Sequence, residues 1–194
     1  MKKAAAIIFL SIFLSQPGIC QLKNPKDNIK ETVVSFLKWY KTEQHDEAHS
    51  RHSFIKGGPP DTTTKQAIDW KGVEMYLNHI RETSYFSETY LNNLWLFFKK
   101  IDDNLQTRPK MKDLVKIDGL DRDWILSTFE PEAILDHIEA GRFDKICIIY
   151  NKAIARFRIS KTIQLLFTLT RAGNKWQIDY IGYDAGYKHS AARQ

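Results

Sequence analysis

The sequence predicts an α+β fold in which N-terminal helices pack on a curved, mainly antiparallel sheet. Up to about Gly141 the apolar residues recur at spacings of three and four, and from residue 143 the period falls to two. The period-two stretches are separated by short turns and not by helices. Consecutive strands therefore pair with each other as an antiparallel meander, and the helices cover one of its faces.

The elements follow in chain order. Lys2 and Lys3, the apolar run Ala4 to Leu14, and the turn formers Pro17 and Gly18 have the layout of a secretory signal over residues 1–20. That run is shorter than the ~20 apolar residues a membrane helix needs, and no later stretch supplies one, so no transmembrane segment is expected. Cys20 raises the alternative of a lipid anchor. Pro17, Gly18 and Ile19 do not form the Leu-initiated, small-residue-ended motif that lipidation requires, so cleavage after Cys20 and a periplasmic or secreted chain are expected. About 174 residues then remain, 21–194, a length that suits one domain with a sizeable core. The full chain carries a formal charge of +6, and loss of Lys2 and Lys3 lowers it to +4. The densest basic stretch, Arg108 to Lys116, is interrupted by Asp113 and has no aromatics beside it. It reads as a solvated loop, and nucleic acid is not an expected partner.

Asn28 with Glu31 three residues on makes a capping-box pattern, and Ile29, Val33, Phe36, Leu37 and Tyr40 fall on one helical face after it. Gly57, Gly58, Pro59 and Pro60 mark a loop. Val73, Tyr76, Leu77 and Ile80 predict a helix over 70–81. Ser87 opens a longer one to about Leu105, with Leu91, Leu94, Trp95, Phe98, Ile101 and Leu105 on its buried side. After a polar connection from Thr107 to Asp123, Pro131 stands at a first helical position and Gly141 at a stop. Four strands follow, "DKICIIY", "AIARFRI", "TIQLLFTLT" and "KWQIDYIGY". The first two are joined at Asn151-Lys152 and the last two at Ala172-Gly173-Asn174. Ile163, Leu165, Phe167 and Leu169 share the covered face.

Few residues suggest chemistry. With Cys20 removed, Cys147 is the one thiol left; it cannot close an internal disulfide, and among Ile and Tyr it reads as a small core residue. His45, His49 and His52 are four and three apart, so a continuing helix would align three imidazoles for zinc, while a fading helix end would leave them as a solvated polar tail. "HDEAH" also has Asp46 where the zinc-protease pattern has its Glu. Arg156 and Arg158 leave one face of a strand and suit a carboxylate or phosphate; a polar outer face is the plainer reading of the same alternation. Asp179 and Tyr180, as strand neighbours, point to opposite sides unless a bulge intervenes. Asp136 and His137 stand where a short helix meets a pocket edge or a surface turn.

"VVSFLKWYKT", "YLNHIRETSYFSETYLNNLWLFFKKID" and "FTLTRAGNKWQIDYI" together resemble the opening helix, the second and third helices, and the closing hairpin of the nuclear transport factor 2-like superfamily, within it the secreted bacterial proteins of the DUF 3828 type. The resemblance covers most of residues 28 to 183, and "DGLDRDWILSTFEPEAILDHIEAG" departs from it. It implies a cone-shaped domain. Isomerases, dehydratases, immunity proteins and many binding domains share that fold, so the fold assigns no chemistry. The expected function is a secreted, non-enzymatic domain binding a small ligand, peptide or protein partner, with Arg156, Arg158, Asp179 and His137 as candidate ligand residues and no cofactor. The alternatives are an isomerase or dehydratase acting in the cone, or an immunity-like protein that binds a toxin. A homodimer through the open sheet face is compatible with all three.

Overall fold

A computed structural model of the chain describes residues 24–45, 54–58, 65–109 and 117–183, with the side chains of 44 and 45 excepted. The leader, Cys20, His49 and His52 lie outside the described residues.

Helix α1 runs Pro25–His45. It starts ahead of the expected Asn28 because Asn24 caps it: the Asn24 side chain accepts from the Lys26 amide at 3.0 Å, and Pro25 takes the first helical position, where its missing N–H costs nothing. A two-stranded ribbon, β1 (Ile55–Lys56) and β2 (Ala67–Ile68), leads into α2 (Trp70–Glu82) and α3 (Glu88–Thr107). Ser87 caps α3 as expected, accepting from the Tyr90 amide. Trp95 departs from expectation. It is 40% exposed and tilts against Trp70 at 5.4 Å between ring centroids, while Tyr90 takes a buried place on that helix. The Pro131 helix is only one turn, α4 (Glu132–Leu135), followed by a 3-10 turn at Ile138–Ala140 that ends at Gly141. Gly141 is a close-approach site: a Cβ there would stand 2.7 Å from Cε1 of Phe157.

The second half is a four-stranded antiparallel sheet in sequence order, β3 (Arg142–Ile149), β4 (Lys152–Arg158), β5 (Gln164–Ala172) and β6 (Lys175–Tyr183). The chain is thus α+β, helices first. Ala153, Ala155 and Phe157 of β4, with Leu165, Phe167 and Leu169 of β5, face the helices and are buried. Helix α1 lies against both β3 and β6, so it crosses the covered face. The space between the layers is filled by side chains: Phe36, Phe98, Phe157, Phe167, Tyr40 and Tyr76 are each no more than 1% exposed. Burial in this apolar interior raises the phenol pKa of Tyr76 and Tyr90, with the nearby Asp123 charge adding to it; the Trp124 indole beside Tyr76 pulls the other way.

Three hairpins, two of them with two-residue turns, and two bulges shape the sheet. Ile149 pairs with Lys152, so the first turn is Tyr150-Asn151, one residue earlier than expected, and Tyr150 takes φ +56°. In the second, Ala172 pairs with Lys175 around Gly173-Asn174, with Gly173 at φ +60°. The bulges sit between Phe143 and Lys145 in β3 and opposite Thr168 and Leu169 in β6. The extra residue is an aspartate each time, Asp144 and Asp179.

Candidate functional site

The face of the sheet that no helix covers among the described residues is built by register. Residues paired across antiparallel strands share a face, so Lys145, Arg156 and Leu166 form one row, Cys147, Ile154 and Thr168 another, and Lys152 with Thr170 a third. All alternate with the buried residues of their strands. Cys147 is therefore exposed and free, contrary to the core position expected of it. In the unbroken apolar run from Ile146 to Ile149, only the pairing with β4 shows which residues point inward. Ile154 is 49% exposed, Tyr180 53%, and Ile149 65%. Tyr150, at the tip of the hairpin beside them, is 96% exposed.

Arg156 and Arg158 both lie on this face, as the alternation required. Arg158 donates through Nη2 to Asp144 Oδ1 at 2.5 Å. The β3 bulge makes that pair, because the extra residue re-aims the carboxylate toward the face. The β6 bulge does the same for Asp179. Without it Asp179 and Tyr180 would point to opposite sides; with it Asp179 joins Thr170 and Lys152 on the side where Tyr180 pairs with Thr168.

Asp179 is 7% exposed, and both of its oxygens are occupied. Ser87 Oγ donates to Oδ1 at 2.6 Å, and Lys152 Nζ donates to Oδ2 at 3.1 Å. The Thr170 hydroxyl also donates to Oδ2 while accepting from Lys152. Burial alone would raise the carboxyl pKa. The bonds from Ser87, Thr170 and Lys152, with the Lys152 charge, outweigh it and hold the group below its ordinary value. Asp179 is thus a saturated, ionised carboxylate, the opposite of the raised acid that an isomerase keeps in an apolar pocket.

His137 stands apart from these residues. It is exposed in the connection between α4 and the 3-10 turn, a stretch that packs on α1 in the helical layer. Asp136 beside it bridges to Lys41 at 2.7 Å. His45 is the last residue of α1, and the proposed triad with His49 and His52 lies outside the described side chains. Among the described residues no group of three His, Cys, Asp or Glu is placed to hold a metal ion, and no helix is long and apolar enough to cross a membrane.

Among the described residues, three of the clefts in the surface are large enough to note. One of about 360 Å³ lies beside α3, lined by Phe97, Lys100 and Arg122 among others. A second, about 430 Å³, separates α1 from the β5–β6 turn, and a third, about 370 Å³, opens at Trp124 and Phe129. At the third, Tyr40 donates to Asp123 at 2.7 Å, and the Leu126 amide donates to the other Asp123 oxygen at 2.6 Å. None of the three is lined by Arg156, Arg158, Asp179 or His137.

The residues of this face that sequence reasoning missed are Lys152, Ile154 and Thr170, while Tyr180 was weighed only as the strand neighbour of Asp179. For Lys152, Ile154 and Thr170 the available signal was pairing, since alternation from Arg156 and the register of β4 with β5 place them on one face; Tyr180 joins them only through the β6 bulge. Comparison with family models, with curated proteins and with solved structures gives no match.

Proposed function

We propose that the chain is a secreted, non-enzymatic binding module of the nuclear transport factor 2-like kind, and that it engages a protein or peptide partner through the helix-free face of its sheet. The observation that carries this reading is the composition of that face. Ile149, Ile154 and Tyr180 are exposed in a field of Arg142, Lys145, Lys152, Arg156 and Arg158, a mixture of apolar anchors and arginine typical of interface centres. Tyr150 adds an exposed aromatic at the rim, at a turn position whose positive φ the hairpin demands and glycine would meet with less strain. The filled interior supports the outer face over a cone cavity. The saturated Asp179 supports binding over proton-transfer chemistry. A toxin-neutralising role is one form of the same reading, since it too demands a complementary outer patch.

The test is capture from the extracytoplasmic fluid of the producing cells by the immobilised chain. The double variant Ile154→Glu, Tyr180→Glu is expected to lose captured partner at least tenfold, and Phe129→Ser at the third cleft to retain it. The reverse pattern would move the function to the cleft and end the sheet-face reading.

A further inference from the structure

Two rows of side chains run side by side along the last three turns of α3. Phe97, Ile101 and Leu105 are spaced by four, and so are Lys100, Asn104 and Arg108, the last at the helix end. Offsets of three and four residues keep such rows adjacent on a helix. One row is apolar, and the other carries charge or an amide. The turn at 117–120 packs on the apolar row. The Leu120 amide donates to the Ile117 carbonyl at 3.0 Å, and Gly119 takes φ +93°, the positive φ that glycine supplies at the third position of a turn. The missing side chain also lets this backbone lie on the Phe97 ring, since a Cβ on Gly119 would stand 3.2 Å from Phe97 Cε2. Between turn and helix lies the cleft of about 360 Å³, with both rows and Arg122 in its lining.

The cations of this cleft are held loosely or not at all. Arg108 is oriented by its neighbour in the row: its Nε donates to Asn104 Oδ1 at 2.9 Å, which leaves the two Nη groups to other acceptors. Asp118 Oδ2 stands 4.0 Å from Nη2, too far for a hydrogen bond, and the Asp118 side chain is 93% exposed. Among the described residues the side chains of Lys100 and Arg122 make no hydrogen bond or ion pair. Cations of this kind on an open surface would be ordinary solvated groups. Here they border an apolar floor, with Ile101 and Leu105 buried and Phe97 partly so.

That lining selects its ligand. The volume lies in the range of small-molecule sites, which pair an apolar wall with a few placed polar groups. An inorganic anion would leave the floor uncovered, and a neutral apolar molecule would take water from the cations without replacing it. A carboxylate on an apolar body meets both halves, because the planar fork of arginine matches a carboxylate with two parallel hydrogen bonds.

We propose that this cleft binds a small organic carboxylate with an aromatic or alkyl body. The body lies on Phe97, Ile101 and Leu105, and Arg122, Arg108 and Lys100 hold the carboxylate at the rim. The site shares no residue with the open sheet face and does not depend on partner binding there.

The experiment titrates the full chain with naphthoate in a calorimeter and follows backbone amide signals by NMR. Saturable binding is expected, with the largest shifts at Asn104, Gly119 and Leu120. The primary amide of naphthoate keeps the rings and loses the charge, and acetate keeps the charge and loses the rings. Each should bind at least tenfold more weakly, the scale of one charge-assisted hydrogen bond or a comparable apolar contact. The variant Lys100→Glu, Arg122→Glu should lose naphthoate by a similar factor and keep its thermal midpoint, since neither side chain ties elements together. Equal affinity for the amide would overturn the anion requirement. Binding untouched by that variant and abolished by Ile154→Glu, Tyr180→Glu would overturn the cleft and move the probe to the sheet face. No binding at all would overturn the site, and binding that emerges only when residues 110–116 are replaced by glycine and serine would make that segment the occupant instead.

Discussion

Asp179 shows how a single residue can look functional in a sequence and act as a structural latch. It joins three elements: β4 through Lys152, β5 through Thr170, and the start of α3 through Ser87, which in turn caps that helix. Because its pKa is depressed on folding, the stabilisation is fully present above the unfolded aspartate value near 3.9 and is lost as pH falls through the lower folded value. Asp179→Asn is therefore expected to lower unfolding free energy at pH 7 by about 1–3 kcal/mol, the range for a hydrogen-bonded charge removed from buried partners. Urea denaturation at pH 7 and at pH 2.5 checks it, with the gap between variant and wild type closing at the lower pH. An unchanged gap would mean the charge contributes nothing and only packing does.

At the scale of elements, the two hairpins with two-residue turns share a geometry with different residues. Each has two central residues with the first at positive φ, and that position holds Gly173 in one and Tyr150 in the other. Glycine takes this region freely, whereas a non-glycine residue there costs on the order of 1–2 kcal/mol. Tyr150→Gly is expected to raise stability by up to about 1 kcal/mol, after the entropy of the added glycine is set against the relieved strain, and to weaken partner capture. A thermal melt and the capture assay separate the two effects. The same hairpins show where the sequence was legible. Val73, Tyr76 and Ile80 announce α2, Ser87 announces α3, and the turn at Gly173 announces β6, because each rests on local periodicity or a local cap. Cys147 and Asp179 were opaque for a different reason. The run Ile146 to Ile149 has no polar alternation to read, and a bulge shifts facing without leaving a mark in composition. Asn24-Pro25 carries the local marks of a helix start, a capping Asn before a Pro at the first helical position, and the capping-box reading at Asn28 passed over it. The basic face could have been read from Arg156 and Arg158, but its apolar half required the register of three strands together.

For the whole molecule, the question is whether helices and sheet are one cooperative unit. A single hydrophobic cluster runs from Ile29 in α1 to Ile181 in β6. Phe36 sits at its centre, edge-on to Phe86 at 5.2 Å and to Phe167 of β5 at 6.3 Å, and stacked on Tyr40 at 5.9 Å. One polar latch crosses the same boundary, Ser87 to Asp179; a second lies within the helical layer, where Asp102 accepts from the Ile68 amide at 3.0 Å and the Trp70 indole at 3.1 Å and ties β2 and α2 to α3. Desolvation would raise the Asp102 pKa, yet those bonds lower it, so this latch too stays charged at neutral pH. With the core shared in this way, damage to a helix must be felt by the strands. Phe36→Ala is expected to cost about 3–5 kcal/mol, the range for emptying a buried aromatic site. Far-UV circular dichroism and tryptophan fluorescence should report the same lowered urea midpoint, and amides of β5 around Phe167 should exchange faster although the substitution is in α1. If β5 kept its protection while α1 melted early, the sheet would be a separate folding unit. The open face would then survive loss of the helices. A single transition means instead that the open face is held in shape by the aromatic layer behind it, and any core variant that lowers stability lowers partner binding in proportion to the fraction unfolded.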